Sequence, residues 1–339
     1  MEETKETKPE FVKNELAKYD EGFVPEYHNR KMAVEIVDAG DNSDVSENDT
    51  TTGREKVVAQ TQEAQPVVKV DEKKEKKDIS YGPGKINVSL TGKTLKEVFA
   101  VVRAADTEAV FKFSKDGISV IVIDPGSVMM VDLEIPKNSL IEYWYDTEAD
   151  RIKVGLDVER LMKLMPYNKD DVIDLHIETY NNEARGKLTV DNGSIKAAVD
   201  TLSVESIRDP RVPLISTVDY AVLPAKKFRD VLRTAELITD SVRIEFDRDA
   251  VTVRAGSDDG SAETVFSKDE MKELKVINPG KAAYPTEYLS KIMKTVKADE
   301  IKISLKQDYP TIIESYLMPS RGGEKNINVR YLLAPRMEE

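Results

Sequence analysis

Two adjacent carboxylates are the residues of this sequence that come nearest to a catalytic or metal-binding group. Asp258 and Asp259 precede Gly260, and carboxylate oxygens are ligands that Mg²⁺ accepts. An Asp-Asp-Gly run between two strands is also typical of a solvated turn. The chain has no cysteine, and its two histidines, His28 and His176, are far apart in the sequence. We therefore predict no disulfide and no metal site, with a magnesium site at the two aspartates as the alternative.

The sequence signatures of nucleotide hydrolysis and of nucleophilic catalysis are missing. We find no G-x-x-x-x-G-K-[ST] phosphate loop and no serine nucleophile elbow. This predicts a protein that is not an enzyme and that needs no cofactor. The N-terminus lacks the apolar core of a secretory signal, and no run approaches the ~18 apolar residues that span a bilayer. We expect a cytoplasmic protein without a membrane partner.

Basic side chains are concentrated on four segments that are predicted to be helices. The whole chain carries a formal net charge of −13, yet these segments hold twelve basic residues against six acidic ones. Lysine and arginine are common on any exposed helix face, but a shared basic bias in an acidic protein also fits attraction to a phosphate backbone. The predicted phosphate-facing residues are Lys93, Lys96, Arg103, Arg160, Lys163, Lys226, Lys227, Arg229, Arg233, Lys291, Lys294 and Lys297.

The elements that position these residues occur twice along the chain. Leu95, Val98, Phe99 and Val102 recur at helical spacing, and the same apolar face returns 133 residues later, starting at Phe228. Strands are predicted at 110–113, 118–123, 128–133, 172–178 and 185–190, and a second helix at 157–165. A repeat of more than 100 residues indicates a duplicated domain. The predicted class is α+β, with two similar domains that each have antiparallel sheets and two helices on one face.

The composition divides the chain into four parts. Residues 1–84 form a polar, aperiodic extension, and residues 1–80 carry 13 Lys and Arg against 20 Asp and Glu. Such a composition predicts disorder. The first domain is predicted at 85–201 and the second at 218–339. Between them, residues 202–217 contain Pro210 and Pro213 and read as a surface connector.

The C-terminal run Tyr331-Leu332-Leu333-Ala334-Pro335 combines apolar residues with a proline next to a charged end. Proline lacks the amide donor that a central strand needs. The run therefore predicts a strand end that brings an apolar strip to the surface, which is typical of a docking site.

Residues 85–339 resemble the sliding-clamp family that includes proliferating cell nuclear antigen. The resemblance is carried by five segments, which are Ile123-Asp124-Pro125-Gly126-Ser127-Val128, Val131-Asp132-Leu133, Val212-Pro213, Asp308-Tyr309-Pro310 and the C-terminal run. It implies a processivity factor of the archaeal type: a homotrimeric, nucleoid-associated ring around double-stranded DNA, with the basic helix faces lining the hole. Edge strands around 185–191 of one subunit and 251–267 of the next are implied to pair and close the ring.

The resemblance also implies a groove for short peptide motifs of a replicative polymerase, a flap nuclease, a DNA ligase and the clamp loader. Carried over residue by residue, the groove comprises Ile123, Val128, Val212, Pro213, Pro310, Leu332, Leu333, Ala334 and Pro335. Three alternatives stay open. They are a subunit that assembles only with related chains, a protein-only adaptor, and a metal-dependent DNA-modifying enzyme that uses Asp258 and Asp259.

Overall fold

The computed structural model describes residues 84–147, 149–164, 167–180 and 185–336. Within them, four helices and eighteen strands alternate in an α+β arrangement, as predicted from the sequence. The predicted extension 1–84 lies outside the described residues except for Gly84.

The first half of the described chain contains nine strands and two helices. They are β1 Gly84–Thr91, α1 Gly92–Arg103, β2 Glu108–Ser114, β3 Gly117–Ile123, β4 Met129–Pro136, β5 Glu142–Asp146, β6 Arg151–Asp157, α2 Val158–Leu164, β7 Val172–Thr179, β8 Gly186–Asp191 and β9 Lys196–Asp200.

The second half repeats this order. It contains β10 Tyr220–Pro224, α3 Ala225–Ala235, β11 Ser241–Phe246, β12 Ala250–Ser257, β13 Gly260–Ser267, β14 Glu273–Lys275, β15 Gly280–Pro285, α4 Thr286–Thr295, β16 Glu300–Ser304, β17 Thr311–Leu317 and β18 Ile327–Leu333.

Local sequence explains where α1 begins and which face it buries. The Thr91 hydroxyl accepts a hydrogen bond from the Thr94 amide at 3.2 Å, which satisfies one of the amides that a helix start leaves without a partner. Leu95, Val98 and Val102 are then buried at helical spacing. The periodicity read from the sequence is confirmed here.

The strands form three antiparallel sheets. The five-stranded sheet has the order β5-β1-β7-β8-β9, and the four-stranded sheet has the order β13-β12-β11-β15. The nine-stranded sheet, β14-β10-β16-β17-β18-β4-β3-β2-β6, combines five strands of the second half with four strands of the first. It is therefore the same five-stranded and four-stranded pattern, joined where β18 pairs with β4.

The pairing of β18 with β4, which we call the internal joint, has no counterpart at the other copies of these strands. β9 is the repeat equivalent of β18, and β13 is the equivalent of β4. Both end their sheets, and within the described residues neither has a strand on its outer side. An edge strand presents unpaired amide and carbonyl groups, so the chain carries two complementary open edges.

One of these edges differs from the sequence-based expectation. The strand at 185–191 was expected to be the edge, but β8 pairs with β7 on one side and with β9 on the other. The reason is a tight turn that was not predicted, in which Asn192 precedes Gly193 at a φ of 80°. Asn-Gly is a strong hairpin signal. On the second half the expected range 251–267 contains both the interior strand β12 and the edge strand β13.

The four helices lie side by side in the order α2, α1, α4, α3, with α1 in contact with α4 across the two halves. This layer crosses the boundary between the halves, as the internal joint does. Among the described residues, no helix has the length and apolar character that crossing a membrane requires.

Candidate nucleic-acid interface and peptide groove

The helix layer exposes most of the basic residues that the sequence predicted. Nine of them are exposed, and they are Lys93, Lys96, Arg103, Arg160, Lys163, Lys226, Arg233, Lys294 and Lys297. Lys227, Arg229 and Lys291 are only partly exposed. The predicted concentration of positive charge therefore lies on one helix layer, and contact with nucleic acid stays a prediction for every residue in it.

Arg229 has a structural role that its place on a helix wheel does not reveal. Its guanidinium donates from Nε to the Met293 carbonyl at 3.2 Å and from Nη2 to the Val296 carbonyl at 3.1 Å. These carbonyls lie at the C-terminal end of α4, where intrahelical partners run out. Lys96, at the equivalent position 133 residues earlier, donates to the Tyr167 carbonyl at 3.3 Å. Both side chains hold the first helix of a half against the chain that follows its second helix.

Lys227 is directed toward strand β13. Its Nζ lies 2.6 Å from a Glu270 carboxylate oxygen, donates to the Val265 carbonyl at 3.2 Å and sits 4.6 Å from the centre of the Phe266 ring. The hydrogen bond from Lys227, followed by the Ser267 amide, lowers the pKa of Glu270 to about 2. This lysine ties α3 to an edge strand, so its ammonium is not free for a phosphate.

Several exposed basic residues on the layer have helical ion-pair partners. Lys226 pairs with Asp230 at 3.3 Å, and Lys163 pairs with Glu159 at 2.7 Å. Pairs of this kind in water contribute little, so the lysines can exchange a carboxylate for another anion at low cost. Burial raises the pKa of the Glu97 carboxyl even though lysines surround it, which reduces the opposing negative charge on α1.

The predicted groove is centred on a row of apolar side chains that crosses four strands. Ile123 on β3 pairs with Met130 on β4, Met130 pairs with Leu332 on β18, and Leu332 pairs with Ile312 on β17. Ile123, Met130 and Leu332 are buried in a cluster of their own, apart from the main core. The remaining side chains of the cluster, all partly exposed, are Ile121, Val212, Ile215 and Ile312.

Three of the nine predicted groove residues, Ile123, Val212 and Leu332, are thus brought together by the structure. Leu333 is not: it is 0% exposed and belongs to the main core. Consecutive strand residues face opposite sides of a sheet, so Leu332 and Leu333 cannot both line one groove. The same alternation would have identified Met130, which was not predicted although it follows the quoted Ile123-to-Val128 segment.

The other predicted groove residues lie at the margins. Val128 is partly buried against the main core, and its carbonyl accepts a hydrogen bond from the Ala334 amide at 2.9 Å. This bond holds the loop after β3 against the C-terminal residues. Pro213, Pro310 and Pro335 are partly exposed.

One carboxylate holds the loop between β3 and β4. Asp124 is buried and accepts hydrogen bonds from the amides of Gly126, Val128 and Met129 at 2.9, 2.6 and 2.6 Å. The Tyr288 hydroxyl on α4 donates a fourth at 2.9 Å. Burial, and next the bond to Asp124, raise the pKa of Tyr288 to about 12. The loop beside the groove is therefore anchored to the helix layer.

The connector is held by a second carboxylate. Asp209 forms ion pairs with Lys112 on β2 at 2.5 Å and with Lys153 on β6 at 3.2 Å. Lys112 is buried, with only 10% of its side chain exposed. Asp209 lies three residues before Val212, so this pair of lysines fixes the segment that delivers Val212 and Ile215 to the groove.

Asp258 and Asp259 are exposed where β12 turns into β13. Across the part of the chain that the structure describes, no three His, Cys, Asp or Glu residues are grouped so that they could hold a metal ion. The two aspartates belong to a solvated turn at the end of the open edge.

Comparisons with known proteins agree with this geometry. Residues 88–206 match the model of the proliferating cell nuclear antigen N-terminal domain, and residues 215–335 match that of its C-terminal domain. The DNA polymerase sliding clamp of Thermoplasma acidophilum is 32% identical over 258 residues, which cover 75% of this chain and 100% of the relative. That of Picrophilus torridus is 35% identical over 252 residues, covering 74% and 98%.

Two solved structures have the same fold. A. fulgidus PCNA, in a structure with the C-terminal region of FEN-1 bound, superposes with a TM-score of 0.66 and 26% identity over 75% of this chain and 99% of that one. A PCNA2–PCNA3 complex from Sulfolobus tokodaii contains a chain that matches with a TM-score of 0.61 and 21% identity, covering 74% and 100%.

Proposed function

The chain belongs to the proliferating cell nuclear antigen family of DNA polymerase sliding clamps, and from this premise we propose that it forms a three-subunit ring around duplex DNA. Members of this family are scaffolds and not enzymes. The ring would tether a replicative polymerase, a flap nuclease and a ligase to DNA, which raises their effective concentration at the template without new chemistry. We keep 85–201, 202–217 and 218–339 as the proposed domain boundaries.

The observation that carries the proposal is the continuous helix layer with its exposed basic residues. In a chain of net charge −13, this surface is the one suited to a polyanion. The contacts are lysine and arginine side chains without base-reading partners, which favours attraction to the backbone over sequence recognition. A mobile attraction of this kind is compatible with sliding. Arg229 and Lys227 are left out of the proposed contact set because protein groups already hold their side chains.

The apolar row around Met130 supports peptide docking. It lies next to the connector and the C-terminal residues, and its members Ile121, Val212, Ile215 and Ile312 keep part of their surface open to solvent. Apolar anchors inserted into such a groove supply affinity in helix-in-groove recognition. We propose that short motifs of the client enzymes and of the clamp loader bind here, as the C-terminal region of FEN-1 binds A. fulgidus PCNA.

Ring closure is supported by the two open edges. β9 and β13 lie on different sheets and cannot pair with each other by the local connection that links neighbouring strands. A head-to-tail contact between β9 of one subunit and β13 of the next closes when the rotation between the subunits divides a full turn. Because each chain repeats twice, three subunits would give a ring of six similar units.

The test is topological. The purified chain should have the mass of three subunits by native mass spectrometry. Once loaded by the clamp loader, it should stay on closed circular DNA through gel filtration and leave after a single cut linearises the circle. Replacing Lys93, Lys226 and Arg233 together with Ala should reduce loading and processive synthesis, with the trimer intact. Equal retention on circular and linear DNA would contradict encirclement.

The groove is tested separately with a fluorescent client peptide. Met130→Ala removes the centre of the apolar row and should weaken peptide binding about tenfold, roughly 1.4 kcal/mol. Ser261→Ala, at the equivalent position on β13, is the control and should leave peptide binding unchanged. Unaltered binding by Met130→Ala would place the docking site elsewhere.

A subunit that assembles only with related chains is the second candidate. It is favoured by the likeness to a chain of the PCNA2–PCNA3 complex from Sulfolobus tokodaii, although that likeness shows the fold alone. A monomeric mass for the purified chain would defeat the homotrimer and favour this candidate. Loading and processivity that survive the triple Ala variant would instead favour an adaptor without DNA contact.

A further inference from the structure

The internal joint has a defined register that the repeat carries over to the open edges. Arg330 lies opposite Asp132, Tyr331 opposite Val131, Leu332 opposite Met130 and Leu333 opposite Met129. Arg330 Nη2 also forms an ion pair with Asp132 at 3.0 Å. Every strand of this joint has an equivalent in the other half, so each of these residues has an equivalent on β9 or β13.

The equivalences follow from the strand registers. On the β18 side, Arg330 pairs with Glu314 on β17, and in the other half Lys196 pairs with Asp191 on β8. Glu314 pairs in turn with Lys302 on β16, as Asp191 pairs with Asp174 on β7. Lys302 and Asp174 hold the same place beside the first strand of each half, so Lys196 corresponds to Arg330.

The same reasoning on the β4 side gives the other partner. Gly117 opens β3 opposite Pro136, and Ala250 opens β12 opposite Ser267. Counting along both hairpins, Ile121 opposite Asp132 corresponds to Arg254 opposite Glu263. Glu263 on β13 therefore corresponds to Asp132, and an acidic residue is present at both places.

We propose that β9 of one copy of this chain pairs antiparallel with β13 of the next in the register of the internal joint. In this register Lys196 lies opposite Glu263, Ala197 opposite Ala262, Ala198 opposite Ser261 and Val199 opposite Gly260. The inference rests on the proposed ring and specifies its subunit contact.

The charges on the two edges complement each other in this register. Glu263 already accepts a hydrogen bond from Arg254 Nε at 2.6 Å, and Lys196 Nζ lies 3.9 Å from Asp191. Pairing the edges places Arg254, Glu263, Lys196 and Asp191 in a row of alternating sign across four strands. Opposite charges on directly paired residues favour one register over its neighbours, because a two-residue slip places Lys196 opposite Ser261 or Val265.

Burial points the same way. Ile195 is 42% exposed, whereas its equivalent Val329, which lies opposite Leu133 in the internal joint, is 1% exposed. In the proposed register Ile195 faces Thr264 of the neighbouring copy. The contact would cover an apolar side chain that the isolated chain leaves open.

Disulfide trapping tests the register directly, because the chain has no cysteine of its own. The double variant Ala197→Cys with Ala262→Cys places two thiols on paired residues, where Cα separations of about 4.5–5.5 Å suit a disulfide. Under mild oxidation it should give a covalent trimer on a denaturing gel. The matched pair Val199→Cys with Ala262→Cys, correct for a two-residue slip, should remain largely uncrosslinked.

Charge exchange gives an independent readout. Lys196→Glu, and separately Glu263→Lys, should raise the dissociation constant between subunits about threefold to tenfold, and the double exchange should restore it. Lys187→Glu, one strand in from the edge, is the control and should assemble normally. The absence of rescue would overturn the proposed pairing of Lys196 with Glu263.

The outcomes separate this inference from the function it depends on. Trimers that crosslink through positions 199 and 262, and not through 197 and 262, would overturn the register and leave the ring in place. A chain that stays monomeric at every concentration would overturn both the register and the homotrimeric ring.

Discussion

The internal joint and the two open edges share one backbone plan and differ in their side chains. On the groove side the joint has Leu332 and Met130, where the edges have Ala198 and Ser261. On the core side it has Leu333 and Met129, both 0% exposed. The large residues make a permanent junction with an apolar groove, while the small ones make a contact that can open. The difference explains why one chain offers one groove, although the repeat provides two such places.

Truncation of the core side of the joint gives the largest expected effect. Leu333→Ala should lower the free energy of unfolding by about 2–5 kcal/mol because a fully buried side chain leaves a cavity. Val199→Ala, at the equivalent edge position, should cost about 1 kcal/mol or less. Urea denaturation at several protein concentrations measures both and separates folding from assembly. Equal costs would mean that the two places are packed alike, and the comparison would fail.

The anchor of the connector gives the next largest effect. Asp209→Ala leaves the ammonium of Lys112 buried without its nearest carboxylate, which should cost about 1–3 kcal/mol of stability. It should also weaken a client peptide about threefold to tenfold, because the freed connector must be ordered on binding. Thermal unfolding and fluorescence anisotropy give the two values.

Lys153→Met is the control for this anchor, since Asp209 then keeps its 2.5 Å partner Lys112. It should have a clearly smaller effect on both measurements. A peptide affinity that does not respond to Asp209→Ala would show that the connector is positioned by other contacts.

The tether of the edge strand β13 should be sensitive to acid. The pKa of Glu270 is lowered to about 2 from 4.5. A group whose folded pKa is depressed stabilises the native state above its unfolded pKa, and this contribution is lost as the pH falls from about 4.5 toward 2. Glu270→Gln should therefore make stability less dependent on pH in that window.

The first half lacks this tether, because Thr94 stands where the second half has Lys227. Lys227→Met should consequently flatten the same pH dependence, while Lys93→Met should not. Circular dichroism during acid titration follows the effect. A slope between pH 4.5 and 2 that Glu270→Gln leaves unchanged would exclude this tether as its source.

The smallest effect on stability is expected at Lys226, the immediate neighbour of Lys227. Its side chain is 89% exposed and pairs only with Asp230 on its own helix. Lys226→Ala should change stability by less than about 0.5 kcal/mol. If its ammonium neutralises one phosphate, the substitution should reduce the slope of log affinity against log salt by about 0.9. Fluorescence titrations of duplex DNA at several salt concentrations measure that slope.

Much of this arrangement could be read from the sequence because it depends on local periodicity. The apolar face of α1, the repeat at 133 residues and the hairpin around Gly322 are set by neighbours in the chain. The β9 edge was missed because the Asn192-Gly193 turn was not recognised as the end of a strand. Register, which decides that Leu332 and Leu333 face opposite ways, needed only the two-residue period of a strand.

What the sequence could not supply are contacts between residues distant in the chain. A helix wheel places Arg229 on an exposed face, yet the guanidinium reaches back to the end of α4, 64 and 67 residues later. Asp209 looks like a loop residue until β2 and β6 bring two lysines to it. In both cases a long charged side chain is recruited by backbone or charge that tertiary packing puts in reach.

The strand that completes the internal joint is the last one to be synthesised. Asp132 on β4 pairs with Arg330 on β18, 198 positions downstream, which is roughly 10–40 s of translation at ~5–20 residues per second. During that interval the nascent chain exposes a β4 border of Met129, Met130 and Val131 that is far more apolar than the border left open in the finished protein. Crowded polysomes would therefore favour aggregation through β4, and a stop codon a few residues before β18 would make that exposure permanent.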